Sequence, residues 1–164
     1  MTFDLYLAAF ALGRLQPSDL PAAAMQALDE GCDSSAMAAL AGVLPSERSA
    51  FEIEAMWTHG LREVGKAVPT RIEAGHRLKR HFAALVSSGK LPPRVGAREI
   101  VRLAQDLSMD LPSREHVGDG FGVAKLVGDY YSHEAVAPGY EHLHDEIDEE
   151  LRTECERLAR EGTA

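Results

Sequence analysis

Apolar residues recur along most of this sequence at spacings of three and four, and that period restricts the folds open to the chain. In the segment that begins at Ser46, Ile53, Trp57, Leu61 and Val64 follow this spacing. A period near 3.6 places such residues on one face of a helix. No segment sustains the apolar and polar alternation that is typical of a strand. We therefore expect an all-α protein.

Helix-start and helix-stop signals divide the chain into seven or eight helices. Ser18 or Asp19 can cap one helix and Asp33 the next, and the glycine-rich residues 113–122 predict a turn. The last helix is expected to begin at Pro138. These signals predict an irregular all-α bundle of seven or eight helices.

The chain length and the apolar N-terminal stretch bear on domain number and location. A chain of 164 residues can bury one core, so residues 1–164 are predicted to form a single helical domain. The stretch FDLYLAAFALG is short of the ~20 residues that cross a bilayer, and it contains Asp4 and follows no basic segment. We expect a buried first helix in a cytoplasmic protein with no membrane partner.

The net charge of −9 is distributed unevenly. Residues 1–61 carry −6, residues 62–102 carry +7 with 10 basic and 3 acidic groups, and residues 103–164 carry −10. Overall acidity disfavours a nucleic-acid partner, which is the third hypothesis after the two given below. The basic middle segment leaves room for one local surface that binds anionic groups.

The C-terminal segment GYEHLHDEIDEELRTECERLAR combines histidines with many carboxylates. Residues 141–150 hold two histidines and six acidic residues. At 100° per residue, Leu143, Ile147, Leu151 and Leu158 share one face, which predicts a docked amphipathic helix with a solvated acidic side.

A metal site is the alternative interpretation of that acidic side. It would use His142, His144, Asp145 and Glu146, because two ligands spaced i,i+4 on one helix can share a metal ion. The pairs His142/Glu146 and His144/Asp148 point to different sides of the helix, and no HExxH motif is present. The sequence therefore favours a solvated face and predicts no metal or other cofactor.

The most specific polar pattern is formed by Arg94, Arg98 and Arg102. Their i, i+4 and i+8 spacing places them on one ridge of a helix, opposite Ile100 and Leu103. They can neutralise neighbouring acidic helices, or they can bind carboxylate or phosphate groups of a partner, which guanidinium groups suit.

Two stretches resemble a group of small acidic all-helical bacterial proteins of unknown function. SSGKLPPRVGAREIVRLAQDL is similar to their GxLPPxxGARxI-type segment, with Val101 at the position that is often aromatic, and DEGCDSSAMAALAGV is similar to an earlier segment. The resemblance covers about a fifth of the chain. It implies an all-α bacterial cytoplasmic protein and brings no activity or catalytic residue.

Motifs of catalysis and nucleotide binding are missing from the sequence. It contains neither a GxSxG elbow nor a GxxxxGK[ST] loop. We therefore expect a non-enzymatic interaction or regulatory protein, of an immunity or antitoxin-like type, that binds an acidic protein surface through Arg94, Arg98 and Arg102. A metal-dependent hydrolase at residues 142–146 is the alternative, and a homodimer also stays open.

Overall fold

The structure is a computed structural model that describes residues 1–44, 47–111 and 118–161. Within these residues it contains eight α-helices, two short 3-10 helices and no strand, which confirms the predicted all-α class. The chain divides into two compact units, Met1–Ala74 and Gly75–Ala164. The single domain over residues 1–164 stays a prediction.

The first unit contains four α-helices and one 3-10 helix. The 3-10 helix, Pro17–Asp19, follows the first α-helix and leads into the second. The α-helices are α1 (Phe3–Ala11), α2 (Leu20–Asp29), α3 (Ser35–Ala41) and α4 (Ala50–Glu63).

Trp57 on α4 lies in the core of the first unit and is fully buried. Its ring meets those of Phe3 and Phe10 on α1 edge to face, at centroid distances of 5.8 and 5.7 Å. Such aromatic pairs stabilise a core beyond the area that they bury. Met37 packs against Gly60, where a Cβ atom would lie 2.9 Å from the methionine sulfur. The apolar first helix is therefore part of this core, as the sequence predicts.

The second helix of the first unit begins after Asp19, one of the two predicted caps, whereas the starts of α3 and α4 differ from the predicted ones. Ser34, and not Asp33, caps α3, because its hydroxyl oxygen accepts from the backbone N–H of Met37 at 3.1 Å. Ser49 caps α4 in a reciprocal capping box with Glu52. The predicted start at Ser46 lies outside the described residues.

The second unit contains most of α5, whose first turn crosses the boundary between the units. One 3-10 helix, Asp119–Phe121, precedes the seventh α-helix. The α-helices are α5 (Arg71–Ser87), α6 (Pro93–Asp106), α7 (Ala124–Glu134) and α8 (Leu143–Arg160). The first half of the predicted turn at residues 113–122, residues 113–117, lies outside the described residues.

The segment GKLPPRVGA joins α5 to α6 in a tight turn. Gly89 ends α5 with φ +70°, and the N–H of Lys90 donates to the carbonyl oxygen of Leu85 at 2.9 Å. Pro93 occupies the start of α6, where no N–H partner is needed. Gly96 and Ala97 in the first turns of α6 are buried. The opposite face of the helix is therefore exposed to solvent.

The last helix begins at Leu143, which corrects the predicted start at Pro138. Gly139 has φ +93°, and the N–H of Tyr140 donates to the carbonyl oxygen of Ala137 at 3.1 Å. The Glu141 carboxylate also accepts from the N–H of Gly139 at 3.0 Å. Local turn hydrogen bonds thus take the place of the expected first helical turn.

Candidate functional site

The solvent side of α6 carries the arginine ridge, which consists of Arg94, Arg98 and Arg102. Their side chains are 54%, 47% and 57% exposed, respectively. The opposite side of the helix is packed into the second unit. Its buried residues are Gly96, Ala97, Ile100, Val101, Leu103 and Ala104. Burial of that side fixes the rotation of α6 about its axis, so the three guanidinium groups stay in solvent.

Two carboxylates of the second unit contact the arginine ridge. Nε of Arg94 donates to Glu134 at the end of α7 over 2.8 Å. Glu99 lies between the other two arginines, 3.1 Å from Arg102 and 3.6 Å from Arg98. The ridge and its two carboxylate neighbours therefore carry three positive and two negative charges.

The four residues of the metal alternative are not directed at one point. His142, Asp145 and Glu146 are exposed, whereas His144 is half-buried. Across residues 1–44, 47–111 and 118–161, no group of three or more His, Cys, Asp or Glu side chains is arranged to hold a metal ion. A tetrahedral or octahedral site needs such convergence.

His144 instead packs against His133, in the last turn of α7. The ring centroids lie 4.2 Å apart with an interplanar angle of 36°. Nε2 of His133 is 3.5 Å from Oδ1 of Asp148, one turn further along α8. The sequence patterns do not single out His133, and the signal that marks it is its position seven residues after the buried Leu126, two turns along the same face of α7.

Lys79 on α5 is buried, with 3% of its surface exposed. Its ammonium group donates to the carbonyl oxygen of Phe121 at 2.9 Å and lies 4.8 Å from the centre of that ring. It also pairs with Glu161 at 3.3 Å. Burial holds the pKa of Lys79 below its ordinary value, and Glu161 opposes that shift. The lysine thus joins α5, the 3-10 turn before α7 and the end of α8.

Arg157 on α8 extends this set of contacts. It donates to the buried carboxylate of Glu154 at 3.0 Å, to the carbonyl oxygen of Gly122 at 3.0 Å, and to Glu161. The hydrogen bond to Glu154 is the main cause that raises the pKa of Arg157. Lys79, Glu154, Arg157 and Glu161 bond to one another and to backbone carbonyls, so they stabilise the second unit.

An acidic cleft of about 490 Å³ lies between α7 and α8. Lys125 lines this cleft and donates to Asp129 at 2.6 Å, a hydrogen bond that raises the pKa of the lysine. The lining residues are Lys125, Glu146, Glu149, Glu150, Thr153 and Glu154. The second unit therefore presents acidic α8 side chains as well as the arginine ridge on α6.

Comparisons with known proteins found no match, so inference about function rests on the fold and on these sites. No protein-family model matches the chain, no curated protein matches its sequence, and no solved structure matches it. Among the described residues, no helix combines the length and the apolar character that a bilayer span requires.

Proposed function

We propose that this chain is a non-enzymatic interaction or regulatory protein of the bacterial cytoplasm, of an immunity or antitoxin-like type. The arginine ridge would bind an acidic surface of a partner protein. The observation that carries this proposal is the exposure of Arg94, Arg98 and Arg102 on one side of α6 while the other side is buried. A fixed row of guanidinium groups can meet partner carboxylates without first reorganising the helix.

The ion pairs that the ridge arginines make with Glu99 and Glu134 can be exchanged for ion pairs with carboxylates of a partner. Exposed pairs such as Arg94 with Glu134 contribute little to stability, because water competes for both charges. A partner carboxylate that contacts Arg98 or Arg102 would lose water when it binds, which strengthens its attraction to the guanidinium group. With three arginines beside the two carboxylates of Glu99 and Glu134, one positive charge remains in excess.

The other two hypotheses have weaker support in the geometry. A chain of net charge −9 with acidic residues along α8 would repel a nucleic acid. Binding to the phosphate backbone depends on many cationic contacts. A metal-dependent hydrolase would need converging ligands, and His142, Asp145 and Glu146 are exposed side chains around the start of α8. Neither hypothesis has an observation of its own in its favour.

The proposal is tested by capturing partners with the tagged full-length chain and measuring their affinity. The ridge variant combines Arg94→Ala, Arg98→Ala and Arg102→Ala. We expect it to lose at least ~10-fold in affinity for the captured partner, because each contact to a charged group contributes roughly 1.5–3 kcal/mol. Binding by the unmodified chain should weaken as salt is raised.

A matched variant separates the ridge from general charge effects. Arg48→Ala, Arg62→Ala and Arg160→Ala remove three exposed arginines that lie outside α6, which gives the same change in net charge. This variant should bind as the unmodified chain does. Equal affinity of the ridge variant and the unmodified chain would remove the arginine ridge from the function, and retention on DNA or RNA would favour the nucleic-acid hypothesis.

A further inference from the structure

The solvent side of α4 carries an open groove of about 340 Å³. At 100° per residue, its five lining positions fall within one arc of about 100° around the helix. The opposite side of α4 is buried in the core of the first unit, around Trp57. The groove therefore runs along one continuous face of a single helix. The lining residues are Phe51, Glu54, Ala55, Thr58 and Arg62.

The apolar part of this face consists of one large and two small side chains. Phe51 is 82% exposed, and it borders a groove that Ala55 and Thr58 also line. The hydroxyl of Thr58 donates to the carbonyl oxygen of Glu54 in the same helix at 2.9 Å. A single exposed aromatic residue is ordinary on a protein surface. Here, however, small side chains beside the ring let a second helix approach, and the threonine hydroxyl keeps its acceptor when the face is covered.

Two opposite charges lie at equal distances from the middle of this face. Glu54 is four residues before Thr58 and Arg62 is four residues after it, and both side chains are exposed. They are about 12 Å apart along the helix axis, at 1.5 Å per residue. Ion pairs along one helix form at spacings of three and four residues, so these two residues do not pair with each other. The face thus presents one negative and one positive charge to a partner.

We propose that this face of α4 is a homodimer interface, in which two copies of α4 pack antiparallel about a two-fold axis at Thr58. Such an axis places residues that are equally far from Thr58, on opposite sides of it, against each other. Glu54 of each copy then meets Arg62 of the other, which gives two ion pairs. A two-fold interface uses the same surface of both copies, so that surface must be complementary to itself. The charge pattern of α4 meets this condition.

The same arrangement covers the exposed ring of Phe51. Phe51 is seven residues before Thr58, so it is opposed by Gly65 of the second copy, seven residues after it. A Cβ atom built on Gly65 would have no described atom within 4 Å, which leaves room for the ring. Arg62 of the second copy is about one turn away and can place its guanidinium group over the ring. Aromatic and arginine side chains are enriched at protein interfaces.

A second copy fits this face better than an acidic or a basic partner does. Because the face carries one charge of each sign, a partner of uniform charge would oppose one of the two with a like charge. Two copies packed in parallel would place Glu54 against Glu54 and Arg62 against Arg62. The antiparallel two-fold arrangement pairs both charges. It involves α4 and not the arginine ridge on α6, so the inference does not rest on the proposed function.

Sedimentation equilibrium of the full chain, from about 1 µM to about 1 mM, tests the interface. A pair of 14-residue helices is smaller than a standard interface, so we expect a dissociation constant of roughly 10–100 µM. Glu54→Arg and Arg62→Glu should each weaken dimerisation at least ~10-fold, because each opposes like charges at two places. A chain that stays monomeric at the highest concentration would overturn the proposal.

Mixing the two charge-reversal variants tests the antiparallel arrangement. Glu54→Arg leaves two arginines on the face, and Arg62→Glu leaves two glutamates. An equimolar mixture should therefore form a heterodimer about as tight as the unmodified dimer, and a chain that carries both substitutions should dimerise again. If the unmodified chain dimerises and neither the mixture nor the double variant does, the two-fold arrangement is wrong. Circular dichroism of each variant checks that it is folded.

A substitution of the exposed ring tests the same interface without a change of charge. Phe51→Ser should weaken dimerisation, whereas Met109→Ser, which removes a 94% exposed apolar side chain after α6, should not. Glu146→Arg makes the charge change of Glu54→Arg on α8, and it should dimerise as the unmodified chain does. The ridge variant should also dimerise normally, which separates this proposal from the proposed function.

Two results would assign the face or the dimer differently. Dimerisation that neither charge reversal nor Phe51→Ser weakens would place the dimer contact on another surface and overturn the proposal. A monomeric chain that loses a captured protein when Phe51 is substituted would give the face to a different partner, and it would overturn the proposal as well.

Discussion

Val86 on α5 occupies the space that a side chain on Gly96 of α6 would need. A Cβ atom built on Gly96 overlaps with Cγ2 of Val86, far inside van der Waals contact. The two helices can approach this closely only because position 96 has no side chain. The glycine of the GAR sequence therefore sets the packing of α6, and with it the orientation of the arginine ridge.

Gly96→Ala should destabilise the second unit by about 1–3 kcal/mol, the usual range for an overpacked core. Chemical denaturation measures this change. Val86→Ala in the same chain should recover part of the loss, since contacting residues show coupled free energies. Gly128→Ala on α7 is the matched control. It has nothing within 4 Å of its added Cβ, so it should stabilise the helix by up to ~1 kcal/mol. Equal effects at the two glycines would contradict the close approach.

Lys79→Met should destabilise the second unit by roughly 1–3 kcal/mol. The variant keeps most of the apolar stem but leaves the carbonyl oxygen of Phe121 without its donor, and an unpaired buried acceptor lowers stability by this amount. Glu161→Gln should change stability by less than about 0.5 kcal/mol, because the Glu161 side chain is 42% exposed. Urea denaturation of both variants makes the comparison. A larger loss in Glu161→Gln would show that the ion pair outweighs the backbone contact.

The helices could be predicted because their apolar residues repeat with the helical period. Ile53, Trp57 and Leu61 on α4 are buried, as are Ile100 and Leu103 on α6. The arginine ridge follows from the same spacing, since the face opposite a buried stripe is exposed. These features depend on local sequence alone, which is why they are correct.

Two other features of the second unit depend on residues distant in sequence. Lys79 is buried because its donor reaches the carbonyl of Phe121, 42 positions away. His133 on α7 meets His144 on α8, and although the sequence makes His144 a candidate metal ligand, nothing in it pairs the two histidines. The flanking Gly75 and Ala83, one turn before and after Lys79, are both buried. These small residues at i−4 and i+4 are a local indication that the side of α5 that carries Lys79 is buried.

The buried side of α8 should be far more sensitive to charge than its half-buried start. Leu151→Asp should destabilise the fold by several kcal/mol, because it places an unpaired carboxylate at a position with no exposed surface. Ile147→Asp should have a smaller effect, since Ile147 is half-buried. Thermal unfolding of the two variants compares them. The same loss in both would mean that the start of α8 is packed as tightly as its middle.

Removing side chains of the metal alternative should leave stability almost unchanged. His142 and Glu146 are exposed, so His142→Ala and Glu146→Ala should each stay within about 0.5 kcal/mol of the unmodified chain. A metal ion that binds the folded state must stabilise it. Because these side chains do not converge on one point, added zinc or manganese should leave the melting temperature unchanged. A zinc-dependent rise that either substitution abolishes would make residues 142–146 a metal site.

Glu63 at the end of α4 should make the first unit sensitive to acid. Its carboxylate accepts from the Ser34 hydroxyl at 2.6 Å and from the N–H of Ala36 at 3.0 Å, and these bonds hold its pKa below the ordinary 4.5. The folded state thus favours the charged form, so its contribution is fully present above about pH 4.5 and is lost as the pH falls through the lower pKa. Urea denaturation between pH 3 and pH 6 should show the unmodified chain losing its stability advantage over Glu63→Gln as the pH falls. Glu54→Gln, an exposed change on the same helix, should follow the unmodified chain throughout, and parallel curves for Glu63→Gln and the unmodified chain would exclude this role for Glu63.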